Sequence, residues 1–286
     1  MKIVKIPSKL SSLSRRMKEK GKRIGFVPTM GYLHEGHLSL IKRARKENEI
    51  VVVSIFVNPT QFGPREDFKK YPRNLKQDIR LSKEAGSDII FYPSVGSMYP
   101  KGCSTYAETE GLSSFMCGLS RPAHFKGVTT ICTKLFNIVR PDIAYFGQKD
   151  YQQALIIKRL ASDLNMDLKI KILPIIREAS GLAMSSRNNY LTLSQRNKAA
   201  ILYQSLKMAK ALIMSGEKSA SKVKSAIRRM ILKEKGFRID YITVADPHTL
   251  KETKHISSKV LIALAAWLGK TRLIDNIIIS LGRKKC

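Results

Sequence analysis

Two histidines three residues apart, His34 and His37, stand in the segment Phe26-Val27-Pro28-Thr29-Met30-Gly31-Tyr32-Leu33-His34-Glu35-Gly36-His37. The apolar run 24–27 reads as a strand that Pro28 stops and Gly31 loosens, and Leu38-Ser39-Leu40-Ile41-Lys42 reads as a helix start. At that spacing two helical side chains share one face. The first turn of a helix also presents unpaired N–H groups and the positive end of its dipole. Two imidazoles beside that end suit a polyphosphate. The same pair also serves as ordinary surface caps, and the local pattern leaves that reading open. Gly31 and Gly36 have the glycine spacing of a P-loop, but His37-Leu38 replaces the lysine and hydroxyl, and Gly269-Lys270-Thr271 lacks the upstream glycine. His34-Glu35-Gly36-His37 is one residue short of the zinc-protease H-E-x-x-H, so no metal ligands are assigned there.

Three further segments carry polar groups at the ends of apolar runs. Asn58-Pro59-Thr60-Gln61-Phe62-Gly63 offers amides able to bond a hydroxyl or carboxylate, although it would serve equally as a plain turn. Phe146-Gly147-Gln148-Lys149-Asp150-Tyr151-Gln152-Gln153 closes another run. Gly147 would let the backbone approach a ligand. Lys149 would present a compact charge to phosphate, with Gln153 four residues on. Asp150 is either a helix cap or a ribose contact. Met184-Ser185-Ser186-Arg187-Asn188 supplies two hydroxyls and a guanidinium that could wrap a triphosphate, or forms a serine-rich linker. Arg121-Pro122-Ala123-His124-Phe125-Lys126 adds a basic loop.

The elements that must hold these groups alternate up to about residue 175. Strands are expected at 24–27, 50–57, 88–92, 143–146 and 168–173, and helices at 38–46, 74–85, 128–139 and 151–164. The strands are continuously apolar, as in a parallel sheet covered on both faces. The fold expected is therefore α/β, a doubly wound, Rossmann-like parallel sheet, whose ligands bind beyond the carboxyl ends of the strands. After 189 the pattern predicts one helix over 194–214 capped by Ser194, a second over 218–235, and strands at 238–244 and 273–279 with a helix at 260–268 between them. These form a smaller C-terminal α+β domain. The expected division is 1–175 and 176–286.

The chain has 286 residues, 43% apolar and 26% charged, ordinary for a globular protein. Its net charge of +30 is extreme, but the basic residues are spread over Arg15-Arg16, Lys42-Arg43, Arg45-Lys46, Arg228-Arg229 and Arg283-Lys284-Lys285 without interleaved aromatics. That favours a solvated basic surface over nucleic-acid binding. No apolar run approaches the roughly 20 residues of a membrane span. No leader is visible at the start, and Cys103, Cys117, Cys132 and Cys286 contain no C-x-x-C and no zinc-type spacing. The expectation is a reduced, cytoplasmic protein.

Taken together in this order, these motifs resemble the pantothenate synthetase (pantoate–β-alanine ligase) family, within the HIGH/KMSKS-type nucleotidyltransferase superfamily. The resemblance runs from about 24 to 276 and includes Met98-Tyr99-Pro100, Arg121-Pro122 with His124-Phe125, and Gly269-Lys270-Thr271-Arg272-Leu273-Ile274-Asp275-Asn276. One departure is Ser180, where the family usually has aspartate before Gly-Leu-Ala-Met-Ser-Ser-Arg.

The resemblance implies that pantoate's carboxylate attacks the α-phosphorus of ATP, giving pantoyl adenylate and pyrophosphate. The amine of β-alanine then displaces AMP to give pantothenate. It implies His37 as proton donor with His34 beside it, Lys149 on the α-phosphate, and Ser185, Ser186 and Arg187 on the β- and γ-phosphates. The catalytic set is His34, His37, Lys149 and Arg187. Met30, Gly31, Gly36, Gly147, Asp150, Ile176 and Met184 complete the ATP site; Gln61 and Gln153 bind pantoate, and Gln61 also lies near β-alanine. Mg2+ would bridge phosphate oxygens with few protein ligands. A homodimer is implied, with no nucleic-acid or membrane partner. The competing classes are an RNA-binding protein on the same fold, which predicts steep salt dependence, and an adenylyltransferase acting on another carboxylate.

Overall fold

The computed structural model describes residues 1–64 and 66–281, so the basic Arg283-Lys284-Lys285 run and Cys286 lie outside the described residues. The chain forms two compact units: Met1–Gln148 with Gln152–Pro174, and Lys149–Tyr151 with the residues from Ile175 onward.

The first unit is built on a six-stranded, wholly parallel sheet in the order β1-β4-β3-β2-β5-β6, comprising β1 (Lys2–Val4), β2 (Ile24–Thr29), β3 (Ile50–Ile55), β4 (Ile89–Phe91), β5 (Ile143–Gly147) and β6 (Lys169–Leu173). Between them run α1 (Pro7–Glu19), α2 (Glu35–Glu47), α3 (Leu75–Glu84), the single turns α4 (Val95–Met98) and α5 (Cys117–Ser120), α6 (His124–Val139) and α7 (Tyr151–Asp163). Successive strand residues take opposite faces. Ile24, Phe26, Val52, Ala144 and Phe146 pack with α1, α6 and α7, while Val27, Val51, Val53, Ile143 and Tyr145 pack with α2 and α3. Burial of each Val, Ile or Phe side chain among them contributes about 1.5–3 kcal/mol.

Several boundaries differ from the sequence expectation. Pro28 does not stop β2, which continues to Thr29; pairing with β5 ends at Phe26, so Pro28 lacks its N–H where only β3 is paired alongside. β1 and α1 lie outside the expected elements. The N-terminal segment is rich in Ser, Lys and Arg, yet Leu10, Leu13 and Met17 form an apolar stripe and Pro7 opens the helix. α6 begins at His124, one turn before 128.

The second unit holds a three-stranded antiparallel sheet of β7 (Phe237–Ala245), β8 (Lys259–Leu268) and β9 (Thr271–Ser280). It is covered by α9 (Ile201–Met214) and α10 (Ala220–Leu232), preceded by α8 (Leu193–Ala199). The helix expected at 260–268 is the central strand β8. Its apolar run is buried on both faces, a pattern that does not separate helix from strand. The deciding signal is Gly269-Lys270, a two-residue hairpin turn between paired Leu268 and Thr271 with Gly269 at φ +57°. The single helix expected over 194–214 is two. Ala200 donates to Asn197 O three residues back, a 3₁₀ turn that separates α8 from α9. The cap is Thr192 rather than Ser194: Thr192 Oγ1 accepts from Gln195 N (3.2 Å) and Gln195 Oε1 from Thr192 N (3.0 Å). Among the described residues no helix is long and apolar enough to cross a membrane.

Candidate active site

The histidine turn leaves β2 under tight constraint. Gly31 has φ +81°, and a Cβ there would come within 2.9 Å of Asp78 Oδ2 and Ile55 Cγ2. Tyr32 follows at φ +53°, unusual for a residue with a side chain. Asp78 of α3, 1% exposed, holds this turn by accepting from Tyr32 N (3.0 Å) and Leu33 N (2.7 Å). Burial pushes its carboxyl above the usual range, and the two N–H groups oppose that shift.

His34 lies outside α2, as its N-cap. Its Nδ1 accepts from Gly36 N at 3.1 Å, and His37 Nδ1 accepts from His34 N at 3.4 Å, which makes a capping box of two imidazoles. The rings sit 4.1 Å apart at 36°. The pair therefore meets through the cap and not by sharing a helical face. Capping engages Nδ1 of each ring, so each neutral imidazole carries its proton on Nε2. The cap and binding readings are compatible, because the turn engages Nδ1 and a binding role would use Nε2.

Gln61 closes a 3₁₀ turn, Pro59–Gln61, after β3. Asn58 Nδ2 donates to Gln61 Oε1 (3.2 Å) and Gly127 O (3.0 Å), and Gln61 Nε2 lies 3.0 Å from Met30 Sδ. Arg121 Nη2 (3.2 Å) and His124 Nδ1 (2.9 Å) reach the Gln61 carbonyl, and Glu66 pairs with Arg121. α6 presses close behind: a Cβ on Gly127 would stand 2.3 Å from Thr60 O. On α7 the adjacent glutamines divide their tasks. Gln152 is buried and ties Cys117 N, Leu112 O and Phe115 O, whereas Gln153 is half-buried. Gly147, ending β5, has neither a left-handed φ nor any atom within 4 Å of a Cβ built on it. Among the described residues no contact requires glycine there. The strand order reverses between β2 and β5, so the histidine turn and Gly147 flank the switch point where open parallel sheets bind ligands.

The second unit carries the other candidates. Lys149, its side chain 19% exposed, holds Nζ 3.7 Å from Asp150 Oδ2. Met184 N donates to Ile176 O (3.0 Å), and Ser185 Oγ accepts from Arg187 N (3.3 Å), capping the 3₁₀ turn Ser186–Tyr190. Glu178 braces this loop by accepting from Asn188 Nδ2 (2.7 Å) and from Arg196 Nε (2.7 Å) and Nη2 (2.8 Å). Arg177 forks onto Asp275 at 2.7 and 2.9 Å, donates to Gly181 O at 3.0 Å, and stacks 3.6 Å from the Tyr203 ring. Burial pushes the Asp275 carboxyl up, against the pull of Arg177. Ser180 is exposed in the turn and its Oγ accepts from Leu182 N (3.4 Å), so the hydroxyl fills a local acceptor role open to an aspartate.

A family model described as Pantoate-beta-alanine ligase matches residues 2–278. The chain belongs to the pantoate–β-alanine ligase family. It is an enzyme of that ligase class. Pantothenate synthetase of Fervidobacterium nodosum is 55% identical over 98% of this chain and 100% of its own, and that of Thermotoga neapolitana is 53% identical over the same shares. The solved pantothenate synthetase of Thermus thermophilus superposes with a TM-score of 0.92 at 41% identity, covering 97% of this chain and 99% of that one. A Francisella tularensis pantoate–β-alanine ligase, complexed with beta-gamma ATP and β-alanine, gives 0.79 at 36% identity over 97% of both chains.

Against this family background, the supporting residues were the ones hidden in the sequence. Asp78 carries a signal, since Leu75, Asp78, Ile79 and Ser82 share the inward face of α3 and a carboxylate there needs partners. Asp275 falls in phase with buried Leu273 on β9. Arg177 and Glu178 give no such signal.

Proposed function

We propose that this ligase adenylates pantoate and transfers the pantoyl group to β-alanine, releasing pyrophosphate, AMP and pantothenate. The observation that carries the reading is the arrangement at the switch point: two imidazoles whose Nδ1 atoms are engaged by the turn, and across it a glycine that no described protein contact demands. Carboxylates are poor acyl donors, and adenylation supplies a good leaving group. Charge builds on the α-phosphate and on pyrophosphate as the α-phosphorus is attacked, so positioned donors dominate the barrier. In this reading His37, with His34, donates from Nε2 to phosphate oxygens. Lys149 neutralises the α-phosphate, and Ser185, Ser186 and Arg187 hold the β- and γ-phosphates. Met30, Gly31, Gly36, Gly147, Asp150, Ile176 and Met184 enclose the nucleotide, and Gln61 and Gln153 bind pantoate, with Gln61 near β-alanine.

The first unit is then the nucleotide- and pantoate-binding domain and the second a lid domain carrying the phosphate loop. The groups assigned to the triphosphate are hydroxyls and cations, and Asp150 is already paired with Lys149. That donor set fits Mg2+ held by phosphate oxygens and water, where it would neutralise charge on the departing pyrophosphate. A cytoplasmic homodimer without nucleic-acid partners completes the reading, on the strength of the resemblance. AMP formation tests it, measured with ATP and Mg2+ plus pantoate and β-alanine together and each alone. Stoichiometric AMP only with both supports the ligase; AMP with pantoate alone, or none with both, overturns it.

A further inference from the structure

Lys149 sits in the chain between β5 and α7 of the first unit, yet the three residues Lys149–Tyr151 belong to the second. Two hydrogen bonds fix them there. Asn276 Nδ2 on β9 donates to Lys149 O at 3.0 Å, and Tyr151 OH donates to Pro247 O, beyond the end of β7, at 3.0 Å. Asn276 is itself held, its N–H donating to Asp275 Oδ1 at 2.8 Å. Asp275 in turn takes the Arg177 fork, and Arg177 holds Gly181 O at the turn opening the Met184–Arg187 stretch. Asp275 and Asn276 are each 3% exposed. A run of buried and part-buried hydrogen bonds thus joins the Lys149 peptide to the segment leading into the phosphate loop.

We infer that Asn276 and Tyr151 are positioning residues that anchor Lys149 to the unit carrying the Ser185-Ser186-Arg187 loop, so that the cations for the α-phosphate and for the outgoing pyrophosphate are set in one body. This rests on the role of Lys149 proposed above. On this inference each anchor acts through the placement of Lys149. Displacement of about 1 Å at a reacting centre lowers rate by up to about a hundredfold.

The test is a double-mutant cycle read by pantoate-dependent ATP–pyrophosphate exchange. Tyr151→Phe removes one hydroxyl and keeps the ring; Asn276→Ala removes the other anchor. Each is made in the natural chain and in Lys149→Ala. The inference predicts that each lowers exchange kcat roughly tenfold, with KM for pantoate changed less than about twofold. In the Lys149→Ala background the same substitutions change kcat by less than about twofold. Equal losses in both backgrounds would mark a general structural role and overturn the inference, as would unchanged kcat in Tyr151→Phe. Near-normal exchange in Lys149→Ala alone would instead overturn the role of Lys149, a separate and distinguishable failure.

Discussion

Replacing Gly147 by alanine separates a ligand requirement from a folding requirement. A Cβ at this position meets no atom within 4 Å, and the backbone is not left-handed, so the folded state accepts the methyl group. Alanine also narrows the unfolded ensemble, so Gly147→Ala should leave stability unchanged or raise it by about 0.5 kcal/mol. The cost falls on the nucleotide. A methyl group projecting where ATP must approach the end of β5 should weaken ATP by at least about tenfold, or about 1.4 kcal/mol. Gly127→Ala is the contrast, because its Cβ would stand 2.3 Å from Thr60 O, and backbone must move to admit it. That overpacking should cost about 1–3 kcal/mol of stability. Urea unfolding gives the stabilities; ATP titration and the KM for ATP in pyrophosphate exchange give the affinities. Normal ATP binding by Gly147→Ala would refute the ligand requirement, and unfolding as readily as Gly127→Ala would refute the reasoning that no described protein contact demands this glycine.

Lys149→Ala should lower turnover at least about a hundredfold, since one preorganised donor to a charged transition state is worth roughly 3 kcal/mol; near-normal exchange counts against it. Gln153→Ala should raise the KM for pantoate while leaving that for ATP within about twofold, and an unchanged pantoate KM would remove its role. Glu47 supplies a pH dependence: burial raises its pKa, but bonds from Lys171, Tyr145 and Arg43 outweigh that and hold it at about 2, against an ordinary 4.5. A depressed carboxylate stabilises the fold above its unfolded pKa and loses that contribution as pH falls toward the folded one. At a side chain 21% exposed the stabilisation is about 2 kcal/mol after screening. Urea midpoints should therefore show Glu47→Gln costing this amount at pH 7, with the deficit shrinking between pH 4.5 and 2; a deficit constant with pH contradicts the assignment.

The first unit was legible in the sequence because its strands carry long apolar runs and their carboxyl ends carry the polar motifs. Ile24, Phe26 and Val27 declare a strand buried on both faces, and His34 and His37 follow at its end. What the sequence hid was set by tertiary contact. The run of β8 suits a helix by composition, and its pairing to β7 and, across the Gly269-Lys270 turn, to β9 makes it a strand. The histidine pair looked like a helical face, but the cap geometry of His34 fixes it. The partners that hold the candidate residues lie far off in the chain: Asp78 is 46 residues from Tyr32, and Asn276 is 127 from Lys149. Such pairings follow from the fold and leave at most a local hint, a carboxylate on an apolar face.

The central claim is that a pantoate oxygen becomes bonded to the α-phosphorus of ATP. It is tested most directly with pantoate labelled with oxygen-18 in its carboxylate, turned over with ATP, Mg2+ and β-alanine, and the products weighed by mass spectrometry. Adenylation predicts that one labelled oxygen leaves in the phosphate of AMP, with pantothenate retaining the other. AMP without label, or label in pyrophosphate or inorganic phosphate, would contradict attack at the α-phosphorus.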